Sequence, residues 1–141
     1  MEMDQLYTEL ILEHNQDKRN KHELSQFTVL EHGHNPSCGD DLTLQADIQD
    51  GVIKDAAYTG SGCAISQASA SMMIDLIKGQ TVEEGLLLIE LFLGMIKKEV
   101  TDDEQLEELE DAIALKNISN MPARVKCAVL GWHTLKEALK K

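Results

Sequence analysis

The fold is decided by residues 42–59, which read LTLQADIQDGVIKDAAYT. Apolar and polar residues alternate over the first eight positions, and a period of two is typical of a strand with one buried face. The Asp50-Gly51 pair that follows is a strong signal for a two-residue hairpin turn. Residues 52–59 return as the partner strand, so the sequence predicts an antiparallel β-hairpin.

The chain on either side of this hairpin is mainly helical in pattern. Residues 26–31 are predicted to form a short strand, and residues 32–41, with their Asn-Pro and Cys-Gly-Asp turn signals, a loop. The spacing of apolar residues predicts helices over 4–16, 63–78, 81–96, 99–111 and 122–141. Gly79 ends the second helix, and Thr81 with Glu84 forms a capping box that opens the third. The acidic helix over 99–111 is interpreted as a solvated face with one apolar edge rather than a docking surface for a basic partner.

Length and composition narrow the classes of function. A chain of 141 residues with 43% apolar residues is expected to form a single domain over 1–141. The 13 basic and 25 acidic residues give a formal charge of −12, which disfavours nucleic acid and anionic membranes as partners. The N-terminus has no secretory pattern, and the apolar stretch 85–96 is too short to cross a bilayer. We therefore expect a cytoplasmic protein.

The three cysteines occupy similar local settings. Cys38 lies in a predicted turn, Cys63 follows a Gly-Ser-Gly turn at a helix start, and Cys127 lies in the first turns of the last helix. At about 100° per residue, Cys127 points roughly 120° away from the centre of that helix's apolar stripe. Helix N-termini and nearby cations favour thiolates, and Arg124 and Lys126 flank Cys127. This placement favours three ligands of one soft cation over three buried spectators.

The ligand set suits zinc, which binds cysteine sulfur and aspartate oxygen tetrahedrally. Asp40 is the natural fourth ligand from its spacing to Cys38, although a turn residue that caps its own backbone fits that spacing nearly as well. His32 and His34 are within reach in sequence but are more readily explained as exposed loop residues. The C-x-x-C pairs of common zinc fingers are absent from the sequence.

Three segments around these cysteines carry a resemblance to a known family. They are residues 35–40 (NPSCGD), 60–66 (GSGCAIS) and 124–128 (RVKCA). In order and type they resemble the three cysteine motifs of the IscU/NifU N-terminal family of iron–sulfur assembly proteins, and most closely its SufU branch from Gram-positive bacteria. The resemblance runs from the first helix to the C-terminus.

The resemblance implies an α+β fold, in which a small antiparallel sheet of about three strands packs against several helices. It implies a zinc ion held by Cys38, Asp40, Cys63 and Cys127. The implied partner is a SufS-type pyridoxal-phosphate (PLP) cysteine desulfurase, whose persulfide sulfur passes to Cys38 while Arg124 stabilises the thiolate. The protein is then a sulfur acceptor that serves the downstream assembly machinery rather than a stand-alone enzyme.

Three departures separate this sequence from the IscU branch. Lys126 stands where IscU-type scaffolds carry a histidine, residues 121–126 (MPARVK) replace the chaperone-recognition motif, and the interval from Cys63 to Cys127 is longer. All three are features of the SufU branch and count against a bound cluster and a dedicated chaperone. The alternatives are a scaffold for iron or a labile [2Fe–2S] cluster and, last, a purely structural zinc site.

Overall fold

The computed structural model describes residues 3–37 and 39–140. A three-stranded sheet is followed by most of the helical segments. The elements are α1 (Met3–Gln16), β1 (Val29–Asn35), β2 (Asp40–Gln49), β3 (Val52–Ser61), α2 (Ala64–Ile77), α3 (Val82–Ile96), α4 (Asp103–Leu106), a 3₁₀ segment (Glu107–Asn120) and α5 (Pro122–Leu139). The predicted α+β class is therefore confirmed.

The sheet is antiparallel throughout, in the order β1-β2-β3. The predicted hairpin is confirmed, because β2 and β3 are joined by Asp50 and Gly51, whose φ angles of 52° and 77° are those of the tight turns that hairpins prefer. The alternating residues Leu42, Leu44 and Ala46 have no exposed surface. Their burial fixes the register, since a shift by one residue would turn them to the opposite face.

The first strand corrects the predicted loop over residues 32–41. β1 runs to Asn35, and Glu31 through Asn35 pair with Leu44 through Asp40. The loop was predicted from the Asn-Pro and Cys-Gly-Asp turn signals, which act only near the end of this stretch. In an edge strand, the side chains of His32 and His34 are exposed while the backbone still pairs with β2. Among the described residues, the turn comprises Pro36, Ser37 and Gly39.

The two central helices begin and end as their capping residues predict. Thr81 accepts a hydrogen bond from the Glu84 N–H, and the Glu84 side chain faces the Thr81 N–H, which completes the capping box. Gly79 follows α2 with a φ of 90°, and its N–H donates to the carbonyl of Ile53. This contact joins the end of α2 to β3, so the cap also positions the helix on the sheet.

The acidic region differs from the single exposed helix predicted over 99–111. The structure has the short helix α4 and then a 3₁₀ segment, and the helical path breaks at Glu110, where φ is 51° and ψ is −126°. Leu106 and Leu109 are fully buried, so the apolar edge is confirmed. The break lets the chain keep both leucines in the core while it changes direction.

The last helix lies at the centre of the packing. α5 contacts α2, α3, β1, β2 and the 3₁₀ segment. Trp132 is fully buried, stacks on Phe92 with 3.8 Å between ring centroids, and donates its indole N–H to Ser69. Within residues 3–37 and 39–140, no helix is both long and apolar enough to span a membrane.

Candidate metal centre

Asp40 is a buried carboxylate at the first position of β2. It has no exposed surface, and its Oδ1 accepts a hydrogen bond from the backbone N–H of Cys63 at 2.9 Å. The Ser66 hydroxyl lies 3.1 Å from the same oxygen, and Asn35 Nδ2 lies 3.5 Å from Oδ2. No described cation pairs with Asp40. A buried carboxylate without a counter-charge is costly, and a bound cation would remove that cost.

Cys63 is the residue that caps the N-terminus of α2. Its backbone is extended, with φ −70° and ψ 166°, and its Sγ accepts a hydrogen bond from the Ser66 N–H at 3.4 Å. The glycines before it allow β3 to end and the chain to turn directly into the helix. The free N–H groups and dipole at a helix start favour negative charge on this sulfur. The side chain is half-buried and so remains accessible.

Cys127 lies in the second turn of α5, five residues after Pro122 starts the helix. The sequence reasoning expected it to be partly exposed, and this is wrong, because the residue is 4% exposed. The expectation assumed that α5 has one covered face. Since α5 is packed by the sheet on one side and by helices on the other, the position opposite the apolar stripe is covered as well.

The structure brings these three predicted residues together. One carboxylate oxygen of Asp40 and the Sγ atoms of Cys63 and Cys127 all lie within 4.8 Å of one another. Zinc bonds of about 2.3 Å to sulfur and about 2.0 Å to oxygen place the ligands of one tetrahedral ion roughly 3.3–3.8 Å apart. Small side-chain rotations therefore suffice to bind one ion. Two thiolates and a carboxylate are a donor set that fits zinc or iron.

Cys38, the fourth predicted ligand, lies outside the described residues. Its neighbours Ser37 and Gly39 belong to the turn between β1 and β2, and Gly39 has a φ of 70°. The turn leads directly into Asp40. The participation of Cys38 stays a prediction.

Gly62 leaves the space in which Asp40 and Ser66 meet. A Cβ atom at this position would lie 2.5 Å from Ser66 Oγ and 2.7 Å from Asp40 Oδ1, both closer than side chains tolerate. The Gly-Ser-Gly turn predicted before Cys63 is wrong, because Gly60 and Ser61 pair with β2 as the last residues of β3. Gly62, which follows the strand, permits the close approach of the buried carboxylate to the start of α2.

Arg124 is exposed at the start of α5, and its guanidinium lies near the phenol of Tyr7 on α1. Burial raises the pKa of Tyr7, the arginine acts in the opposite direction, and charge on Cys63 and Cys127 raises the pKa further. Tyr7, Arg124 and the two sulfurs thus lie close enough to interact electrostatically.

Sequence reasoning missed Tyr7 and Ser66. Tyr7 carries no local signal because its helix is separated from the cysteines by the whole hairpin. Ser66 has a signal, since it stands three residues after the cap Cys63, where a polar side chain reaches back to the turn. His32 and His34 are exposed as predicted, but they lie in β1 and not in a loop. His32 pairs with Asp41.

Comparison with known proteins gives a consistent result. The model of the NifU-like N terminal domain matches residues 6–141. The "Iron-sulfur cluster assembly scaffold protein IscU" of Thermotoga maritima is 47% identical over 96% of this chain and 94% of its own. The "Zinc-dependent sulfurtransferase SufU" of Bacillus subtilis is 38% identical over 99% of this chain and 92% of its own.

A solved structure extends the similarity to three dimensions. It is the putative iron–sulfur cluster assembly scaffold protein for the SUF system from Fervidobacterium islandicum. It superposes with a TM-score of 0.88 at 35% identity, and covers 96% of this chain and 97% of its own.

Proposed function

The chain belongs to the NifU-like N-terminal domain family of iron–sulfur cluster assembly, and from that membership we propose that it accepts sulfur from a PLP-dependent cysteine desulfurase. The observation that carries the proposal is the convergence of Asp40, Cys63 and Cys127 within 4.8 Å. One half-buried thiol and one buried thiol beside a buried carboxylate form a centre whose donors suit a thiophilic metal.

Zinc is the metal that we assign to this centre, with Cys38 as the fourth ligand. The donor chemistry supports it, as does the similarity to a relative that is itself named zinc-dependent. When bound, zinc supplies a positive charge that keeps the thiols deprotonated. Lys126 also supports zinc over a cluster, because it stands directly before Cys127, where its ammonium cannot act as a ligand as a histidine would.

Cys38 is the sulfur acceptor in this proposal. Its thiolate attacks the terminal sulfur of the desulfurase persulfide, a new S–S bond forms at Cys38, and the S–S bond of the desulfurase breaks. The desulfurase cysteine leaves as a thiolate, so the exchange needs no oxidant. The exposed turn residues Pro36, Ser37 and Gly39 on either side of Cys38 support the role, whereas Cys127 is buried.

Arg124 stabilises the reacting thiolate. Its guanidinium is exposed and lies near Tyr7, and the pKa of the same tyrosine is raised by charge on both described cysteines. A cation beside a group that alternates between thiolate and persulfide favours the ionised form throughout the exchange.

The desulfurase that we assign as partner is of the SufS type, and the reaction takes place in the cytoplasm. Both assignments follow from the SufU relative and from the motifs around the three cysteines. The sulfur then passes to the downstream assembly machinery or to apoproteins.

The test measures desulfurase turnover with and without the protein, with the metal content determined in the same sample. Cys38→Ala is expected to abolish the stimulation of turnover, while Ser37→Ala, which alters the same turn without a thiol, keeps it. Undiminished stimulation by Cys38→Ala would show that another residue accepts the sulfur.

A second candidate is a scaffold that assembles and releases a [2Fe–2S] cluster. The 47% identity to a Thermotoga maritima protein that is named a scaffold favours it, and thiolates are the usual ligands of such clusters. Protein purified without added metal separates the two. Tight stoichiometric zinc supports sulfur transfer, whereas anaerobic reconstitution followed by rapid cluster transfer to an apo-ferredoxin supports the scaffold.

A further inference from the structure

A cleft with an apolar floor and an acidic rim lies between α2, α3 and the 3₁₀ segment. It has a volume of about 600 Å³, and Leu76 and Leu88 line it together with Leu87. A smaller depression of about 240 Å³ shares Leu76 and Glu110 with it and extends it towards Met72 and Leu109. These volumes are in the range of sites that hold one or two large side chains.

The cleft is remote from the metal centre. Leu76 follows Cys63 by thirteen residues along α2, which is about 20 Å at 1.5 Å per residue. The two surfaces therefore lie at opposite ends of one helix. A partner at the metal centre leaves this cleft open.

Leu87 is the most exposed large apolar residue among those that the structure describes, with 70% of its surface accessible. It stands on α3 and lines the cleft, while Ile89 and Phe92 of the same helix are fully buried. An isolated exposed leucine needs no explanation, but one at the mouth of an apolar cleft provides contact area for a partner.

The rim of the cleft is acidic and lacks counter-ions. Glu84, Glu108 and Glu110 line it, and no described lysine, arginine or histidine forms an ion pair with any of them. Glu84 takes part in the α3 capping box, so its carboxylate is fixed in place. Glu110 holds a φ of 51°, a strained value for a residue other than glycine. The break in the helical path at this residue places it on the rim.

We propose that this cleft docks a segment of a partner protein in which an apolar side chain is flanked by lysine or arginine. The apolar side chain fills the floor at Leu76 and contacts Leu87, and the cations pair with the three glutamates of the rim. The chemistry of the cleft selects this occupant, since apolar contact and opposite charge are both required for affinity and specificity.

Other occupants fit the cleft less well. Phosphates and nucleic acids are repelled by the rim and by the net charge of −12. A second copy of the chain, bound by the same face about a two-fold axis, would place glutamates against glutamates. Neither objection applies to an apolar segment flanked by lysine.

The probe is a fluorescein-labelled helical peptide in which leucine pairs alternate with lysine pairs. One matched peptide carries glutamate in place of lysine, and a second carries serine in place of leucine. Fluorescence anisotropy is expected to give the leucine–lysine peptide at least about tenfold higher affinity than either matched peptide. Equal affinity of the leucine–lysine and serine–lysine peptides would overturn the proposal, because charge alone would then account for binding.

Variants of the protein locate the binding. Leu87→Ser and the double variant Glu108→Gln with Glu110→Gln are each expected to weaken the affinity about tenfold. Leu12→Ser, a leucine that is 55% exposed on α1, and the double variant Glu9→Gln with Glu137→Gln are the matched controls and should change it less than about twofold. All the changed side chains are exposed, so the fold is retained. Equal losses in the cleft variants and the controls would contradict the assignment of the cleft.

Discussion

The carboxylate of Asp40 accepts a hydrogen bond from the backbone N–H of Cys63, with 2.9 Å between Oδ1 and the nitrogen. This bond joins the first residue of β2 to the start of α2. The fully buried carboxylate is thus bonded to the backbone of the residue that carries one of the two described sulfurs. The metal centre is built around it, and several predictions depend on it.

Asp40→Asn is expected to lower the affinity for metal without lowering the thermal stability of the metal-free protein. The amide keeps an oxygen that accepts from Cys63 but loses the charge that a cation requires. The metal-free variant should unfold at the same or a higher temperature, since an unpaired buried charge has been removed. The rise in melting temperature on adding zinc should shrink, because that rise follows from affinity.

Thermal melts with and without zinc measure both quantities. Asp41→Asn is the matched control, since Asp41 is exposed at the next position and pairs with His32. A full zinc-induced shift in the Asp40 variant would exclude this carboxylate as a ligand.

Gly62→Ala is expected to damage the centre sterically. The added methyl group would lie 2.5 Å from Ser66 Oγ and 2.7 Å from Asp40 Oδ1, so both side chains must move. Displaced ligands and their supporting hydrogen bonds typically lower metal affinity by about 10- to 100-fold. Competition with a chromophoric chelator measures the loss.

Gly79→Ala provides the comparison for this effect. Its φ of 90° makes alanine costly there, yet nothing lies within 4 Å of the added methyl group. We expect lower stability with unchanged metal affinity. If both variants lowered the affinity equally, the effect would arise from general destabilisation.

Tyr7→Phe is expected to slow the reaction of the thiols without removing a ligand. The change removes the phenol oxygen that lies beside Arg124 and lets the guanidinium move away from the sulfurs. Exposed charge pairs contribute about 0.2–1 kcal/mol, which corresponds to a decrease of about 1.4- to fivefold in rate. The reaction of metal-free protein with an aromatic disulfide at neutral pH measures it.

Tyr58→Phe is the control, since Tyr58 is buried in the core and makes no recorded contact with the centre. If Tyr7→Phe reacted at the same rate as the unmodified protein, Tyr7 would have no role in positioning Arg124. The unmodified protein and Tyr58→Phe are therefore expected to react with the disulfide at the same rate, and Tyr7→Phe is expected to react more slowly.

Alkaline pH is expected to destabilise the fold through Tyr58. Burial raises the pKa of Tyr58 to about 12, whereas an unfolded tyrosine titrates near about 10. The folded state holds its proton more tightly, so the stability is fully present below about pH 10 and falls as the pH rises towards 12. Denaturation midpoints over this interval should fall more steeply for the unmodified protein than for Tyr58→Phe. Parallel pH profiles would show that this phenol does not contribute.

The parts of the fold that sequence alone predicts are those determined by neighbouring residues. The β2–β3 hairpin and the caps at Thr81 and Gly79 are each specified within a few positions, and each is confirmed. β1 was predicted only in part, because a polar edge strand depends on a partner strand that its own residues do not reveal. The 3₁₀ segment was predicted as an α-helix, because its break at Glu110 depends on the burial of Leu106 and Leu109.

The candidate metal centre also combines features that neighbouring residues predict with features that depend on tertiary packing. The local settings of Asp40, Cys63 and Cys127 indicate ligands, and their convergence agrees with that prediction. The burial of Cys127 was predicted wrongly because α5 is covered on both sides. Tyr7 and the Ser66 contact with Asp40 depend on tertiary packing, and a single sequence does not show which helix passes beside the cysteines.

The order in which the ribosome adds the three described donors has a consequence for metal loading. Asp40 and Cys63 are separated from Cys127 by the whole of α2, α3 and the acidic region. A polypeptide that stops before α5 carries two of these donors and lacks the third, so it cannot complete the arrangement of Asp40, Cys63 and Cys127 that the folded chain shows.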